Sequence, residues 1–329
     1  MRSLVAMMLM LALAPASAQA AEPLRLEAKI PLGTVAGRID HMAFDLARKR
    51  LFVAELGNNS VGTVDVEARK VIHRLSGLKE PQGVAYLAGR DLIYVANGGD
   101  GVVRIYTGED VSPAGSIALG DDPDNIRLDP AADRVVIGYR KGALALIDPA
   151  RAAKVAEIAL KAHPESFQLD RGTDRIFVNL PGAKAISVVS RATAQEIATW
   201  PVPYGGNFAM ALDPAKQQVL AVFRSPAKLV AFAQGDGKLL AETETCGDVD
   251  DLFLDAKRQR LYLSCGEGFL DVLDAAPPFA RLARLTTVSG ARTSLFVPEL
   301  DRLFLAVRAQ AGEPAAIWVY AVGTDAAEK

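Results

Sequence analysis

Apolar residues in this chain come in short runs, each cut off by polar or glycine-rich residues before it reaches helical length. One such run recurs, as LFVA from Leu51, LIYV from Leu92, VVIG from Val135, IFVN from Ile176, VLAV from Val219, LYLS from Leu261 and LFLA from Leu303. The successive spacings are 41, 43, 41, 43, 42 and 42 residues. Six residues ahead of five of these anchors an Asp closes another apolar stretch: Asp45, Asp129, Asp170, Asp213 and Asp255. Tyr86 and Val297 stand there in the second and seventh copies. A polar turn such as PAAD, between Asp129 and Arg134, joins each stretch to its anchor, so each pair reads as a hairpin.

Each anchor leads through a Gly/Asn-rich turn into two further strands, as in VGTVDV from Val61 and KVIHRL from Lys70. Four strands per repeat of about 42 residues is the period of a propeller blade. Helical solenoids share that repeat length but need 3.6-residue apolar spacing, which is absent. The seventh copy supplies three strands, at 292–297, 303–307 and 315–322. The missing fourth is found near the other end, where LRLEAKI at 24–30 reads like the fourth strands at 155–160 and 239–243. The pattern therefore predicts an all-β, seven-bladed β-propeller of four-stranded antiparallel blades. Its last blade is closed by the N-terminal strand, and one domain covers 21–329.

Ahead of the repeats, Arg2 precedes an apolar run at 4–13 and a small-residue stretch ending at Ala20. These are the n-region, h-region and Ala-x-Ala site of a secretory signal. The run is too short to span roughly 30 Å of hydrocarbon. The expectation is cleavage near Ala20 and a periplasmic or secreted protein with no membrane span. Only Met42 and Met210 remain after cleavage, which disfavours a methionine-rich copper carrier.

With 37 Lys plus Arg against 39 Asp plus Glu, the formal charge is −2, so no broadly basic surface favours nucleic acid. Aromatic residues, at 6%, leave no obvious platform for stacking sugars or bases. A monomer is expected.

The segments LIYVAN from Leu92 and NNSVGTVDV from Asn58 resemble the YVTN repeats of secreted bacterial seven-bladed propellers. GDDPDNIRLD from Gly120 resembles the family's Gly/Pro entry into an innermost strand, while blades 5 and 6 depart most from the motif. The resemblance covers residues 24–322. It implies the propeller fold, and it is compatible with non-catalytic binding proteins as well as with the lactonases, streptogramin lyase and quinoprotein subunits built on similar propellers.

In a propeller the innermost strands line a central channel, and the loops entering them form one rim. The rim candidates for ligand binding are Asp40, His41, Asp124, Asn125, His163, Glu165, Asn207, Arg140, Arg224, Arg292 and Arg308. Arg140, Arg224 and Arg308 each stand five residues past their anchors. With Arg292 they can grip an anionic ligand through forked hydrogen bonds, or else pair with the rim carboxylates. Asp248, Asp250 and Asp251 put three carboxylates in four residues, which repel unless a cation or arginine neutralises them. Calcium or magnesium is the cofactor expected there if a cation does so. An Asp next to His41 can hold its imidazole near physiological pKa, although neighbours on a regular strand point to opposite faces. No CxxC, CxxCH or HExxH motif supports zinc, haem or copper.

Cys246 and Cys265, the only two cysteines, fall in the same blade and are expected to form a disulfide in an oxidising compartment. Pairing Asp255 with Leu261 would set Cys265 opposite residue 251, so Cys246 would have to curl back to reach it. Two functions stay open. One is a periplasmic non-catalytic binding or scaffold propeller that holds a protein or small molecule at the rim. The other is a metal-assisted enzyme (lactonase or lyase) or a quinoprotein-associated subunit.

Overall fold

The computed structural model describes residues 22–310 and 312–323. The expected signal segment and its expected cleavage site near Ala20 lie outside the described residues. The chain forms seven four-stranded antiparallel sheets, with only short 3-10 turns and no α-helix among the described residues. In blades 1–6 the strands run in chain order from inner to outer. Blade 1, for example, consists of Met42–Asp45, Arg50–Glu55, Ser60–Asp65 and Lys70–Ser76. Among the described residues no helix is long and apolar enough to cross a membrane.

The unbroken apolar character of the anchors follows from the stacking of blades. In blade 1, Leu51 and Val53 pack toward blade 7, whereas Phe52 and Ala54 pack toward blade 2. A strand buried on both faces has no polar alternation to show. Seven apolar clusters result, one at each blade-to-blade contact.

Closure is as predicted. Leu24–Gly33 forms the outer strand of blade 7 beside Ala315–Val322, with Leu24 opposite Val322 and Ile30 opposite Ile317. Leu24, Ile30 and Leu32 are buried, and the residues between them face outward or lie part-exposed. The alternation reflects an outer strand packed on one face only.

The repeated Asp is a turn former. Asp45 accepts hydrogen bonds from the backbone N–H groups of Ala47 and Arg48, and Asp255 accepts those of Lys257 and Arg258. Asp129, Asp170 and Asp213 cap their turns in the same way. Such Asx turns satisfy backbone donors that the tight reversal would otherwise orphan. The turns also join neighbouring blades: Arg48 bridges Asp45 to Asp91 of blade 2, and Arg258 bridges Asp255 to Asp301 of blade 7.

Cys246 and Cys265 are joined in a disulfide, with Cα atoms 5.9 Å apart. The register around it corrects the sequence expectation. Asp255 pairs with Arg260 rather than Leu261, and a bulge between Val249 and Asp251 leaves Cys265 opposite Val249. Cys246 therefore reaches its partner without crossing a full turn of extended strand. Its backbone N–H is held by buried Asp271.

Candidate functional site

At one end of the channel, the loops entering the inner strands are tied to the loops that follow the second strands. Gly57 donates its backbone N–H to Arg38, Gly98 to Glu80, Arg140 to Asp121 and Gly266 to Asp248. A second set of backbone bonds repeats just inside this mouth. Asp40 and His41 bracket Ala54, Asp124 and Asn125 bracket Gly138, and Glu165 and Ser166 bracket Asn179. Three blades thus present an acidic residue and its successor at one level of the channel. Because these pairs precede the regular strands, both members can turn toward the mouth, unlike neighbours on a strand.

The inward set comprises Asp40, His41, Asp124, Glu165, Asp250 and Asp251, which share one recess. His41 Nε2 lies 3.9 Å from Asp40 Oδ1 and also 3.9 Å from Asp124 Oδ1. Asp40 and His41 therefore meet despite being adjacent in sequence. Arg38 donates to Asp40 at 2.7 Å. Gly83, on the inner strand of blade 2, sets the position of Asp124: a Cβ there would lie 1.9 Å from the Asp124 carbonyl oxygen. Asp124 Oδ1 and Asn125 Oδ1 are buried without a hydrogen-bond partner among the described residues. Acceptors left in that state are costly and are commonly found where a ligand docks.

Burial pushes the Asp124 carboxyl up to about 7 and the Asp251 carboxyl up to about 6, with His41 pulling each part of the way back. Burial likewise raises Asp40 and Glu165. Burial disfavours the charged His41 ring, but Asp40, Asp251 and Asp124 outweigh it and shift the ring upward. The mouth thus gathers groups that exchange protons near neutrality.

The three carboxylates expected to gather around a hard cation are divided between two environments. Arg292 Nη1 donates to Asp248 at 2.8 Å, and its Nε lies 3.1 Å from Asp250. Arg224 donates to Asp250 at 2.5 Å while its guanidinium lies 3.6 Å over the ring of Phe208. Asp251 instead accepts the backbone N–H of Ser294 at 2.7 Å. Arginine neutralises the first two, and among the described residues no three His, Cys, Asp or Glu side chains are gathered as a metal-ligand set.

The other candidates lie around or behind the mouth. Arg308 donates to the carbonyl of Gly290, and burial, with Arg292 and Arg38 nearby, lowers its pKa. His163 Nδ1 sits 2.5 Å from the carbonyl of Arg140, and Arg140 itself turns to Leu119 and Glu157 rather than to Arg224 or Arg308. Asn207 is fully buried and donates to Asn179 and to the carbonyl of Ala185, so it braces two blades. His73 is exposed on an outer strand.

Sequence reasoning missed Arg38, Gly83 and Arg127. Arg127 had a signal, since it is a charge inside an inner strand, two residues before the turn Asp129. Gly83 had none, because its role is to make room for a neighbouring blade.

No protein-family profile matches this chain, and no curated protein does. Solved structures do. A chain from a structure of the hydrazine synthase of Kuenenia stuttgartiensis is similar with a TM-score of 0.73 at 16% identity, covering 84% of this chain and 95% of its own. A chain from the crystal structure of a mitotic checkpoint complex is similar with a TM-score of 0.77 at 11% identity, covering 97% of this chain and 98% of its own. At such identities the likeness is one of fold, and it is to propellers.

Proposed function

We propose that this chain is an exported, periplasmic member of the YVTN-repeat propellers, and that it holds a ligand at the channel mouth without transforming it. The observation that carries the reading is the convergence of paired charges from several blades on one recess. Asp248 remains 41% exposed on its side chain even though Arg224 and Arg292 engage it. Ion pairs that are only partly desolvated re-pair readily with an incoming polar group, so a protein loop carrying both signs of charge fits them. The propeller fold commonly serves in binding or as a scaffold, which supports this use.

The test is a photo-crosslinking residue at Asp122, on the exposed rim, in the protein expressed with its signal segment in a bacterial host. The reading expects a reproducible adduct that Arg292→Gln removes while the melting temperature is kept. No adduct, or one indifferent to Arg292→Gln, would overturn it.

One observation favours an enzyme instead. Asp124 and Asp251, with pKa values near neutrality beside His41, are suited to general acid–base chemistry of the lactonase or lyase kind. Turnover of a panel of lactones, lost in Asp124→Asn and unaffected by chelation of calcium and magnesium, would establish that reading. Loss on chelation would point to the metal-assisted form.

A further inference from the structure

Inward of the mouth, the channel opens into a cavity of about 640 Å³. Small-molecule sites span roughly 300–1,000 Å³. The walls are largely apolar and include Phe44, Leu128, Leu169, Phe253 and Leu295, contributed by five blades. Three arginines reach it: Arg191, which pairs with Asp129, Arg171, which is exposed, and Arg127, on the inner strand Ile126–Asp129 of blade 3.

Most partly buried arginines pair with a carboxylate; among the described residues Arg127 does not, nor do Arg50 and Arg308, which donate to backbone carbonyls. Arg48, Arg74, Arg191, Arg224, Arg258 and Arg292 each have a carboxylate oxygen between 2.5 and 2.8 Å away. Arg127 has none within 4 Å among the described residues. Its Nη1 donates to the carbonyl of Ile126 at 3.0 Å, and its guanidinium lies 5.5 Å from the ring of Phe167. Its remaining donors carry no hydrogen bond among the described residues. Burial works against its charge, and Asp251 and Asp124 support that charge only from a distance. Asp251 is already committed to the backbone of Ser294. His41, on the same cavity, is held toward its cationic form by its carboxylate neighbours.

A planar fork of donors without an anion, set in an apolar wall, matches one chemistry closely. We infer that the cavity binds a small organic anion, a carboxylate on an apolar body, with Arg127 gripping the carboxylate through paired hydrogen bonds. The apolar body lies against Leu128, Leu169 and Phe253. This site adjoins the ion-paired mouth, sharing His41 and Asp251 with it, and it stands whether or not the mouth captures a partner.

The test titrates the full-length, oxidised protein with octanoate, and with octan-1-ol and octylamine as controls, by calorimetry and thermal melting. Octanoate binds once per chain and raises the melting temperature with concentration, as a ligand of the folded state must. The alcohol and the amine do not. Arg127→Gln weakens octanoate binding roughly 10- to 100-fold, the range that charge-assisted hydrogen bonds span. Arg127→Lys falls in between. Removing an unneutralised cation should not impair folding. Should Arg127→Gln nevertheless fail to fold, Leu128→Trp fills the apolar wall, leaves the charge in place and abolishes binding. The inference is overturned if octanoate does not bind, if octylamine binds as tightly, or if a folded Arg127→Gln or Leu128→Trp chain binds like the parent.

Discussion

His41 of blade 1 and Asp124 of blade 3 meet across the channel mouth, with Nε2 and Oδ1 3.9 Å apart. Blade 2 lies between them along the ring, so the contact exists only because both side chains leave their blades at the same level. It places a buried carboxyl and a part-buried imidazole in one electrostatic unit, and this has a consequence for stability.

Asp124 holds its proton up to about pH 7 in the folded chain, whereas an unfolded Asp releases it near 3.8. Between those values the native state binds more protons than the unfolded state, so stability falls as pH rises. His41 acts in the same sense: its raised pKa contributes stability below 6.5 that is lost as pH climbs through the folded value. Asp124→Asn should flatten this decline and be the more stable chain at roughly pH 8, by on the order of 1 kcal/mol. Melting curves from about pH 5 to pH 8 check it; parallel curves for the two proteins would contradict it.

Gly83 is the second lever on the same residue. Because its Cβ position lies 1.9 Å from the Asp124 carbonyl oxygen, Gly83→Ala must push the blade 3 entry loop away. The expected cost is above about 2 kcal/mol, since backbone rather than a flexible side chain has to move. Urea unfolding measures the cost, and a chain as stable as the parent would show that the loop yields freely.

The disulfide closes a sequence separation of 19 residues. In the chain-entropy model that is worth about 3 kcal/mol. Cys246→Ser with Cys265→Ser should lower stability by about that much. It should also loosen the loop carrying Asp248, seen as faster amide exchange at Gly247 and Asp248. Unchanged exchange would mean that Asp271, which holds the Cys246 backbone, suffices alone.

Ring closure predicts a large effect from a position near the start of the described chain. Ile30 is fully buried in the cluster shared by blades 7 and 1. Ile30→Ala should cost about 2–4 kcal/mol, as for an interior core residue. Exposed Leu26→Ala on the same strand should cost much less. Similar costs at the two positions would argue against docking of this strand.

Much of this architecture was legible in the sequence. The repeat of about 42 residues, the Asp before five of the polar turns and the LRLEAKI strand report local geometry, and local geometry is written in consecutive residues. Strand periodicity and turn chemistry therefore determined the seven blades and their closure. Pairing of the only two cysteines followed from their blade. What the tertiary structure alone decided is which charges neutralise which. Arg224 and Arg292 reach Asp248 and Asp250 from neighbouring blades, while Arg140, equivalent to Arg224 by its spacing from the anchor, turns away. The register near Cys265 likewise depended on one bulge. Arg127 stands unmatched for the same reason. Ion pairing depends on distances of a few ångströms between segments far apart in sequence, and a repeat that places backbones alike does not place long side chains alike.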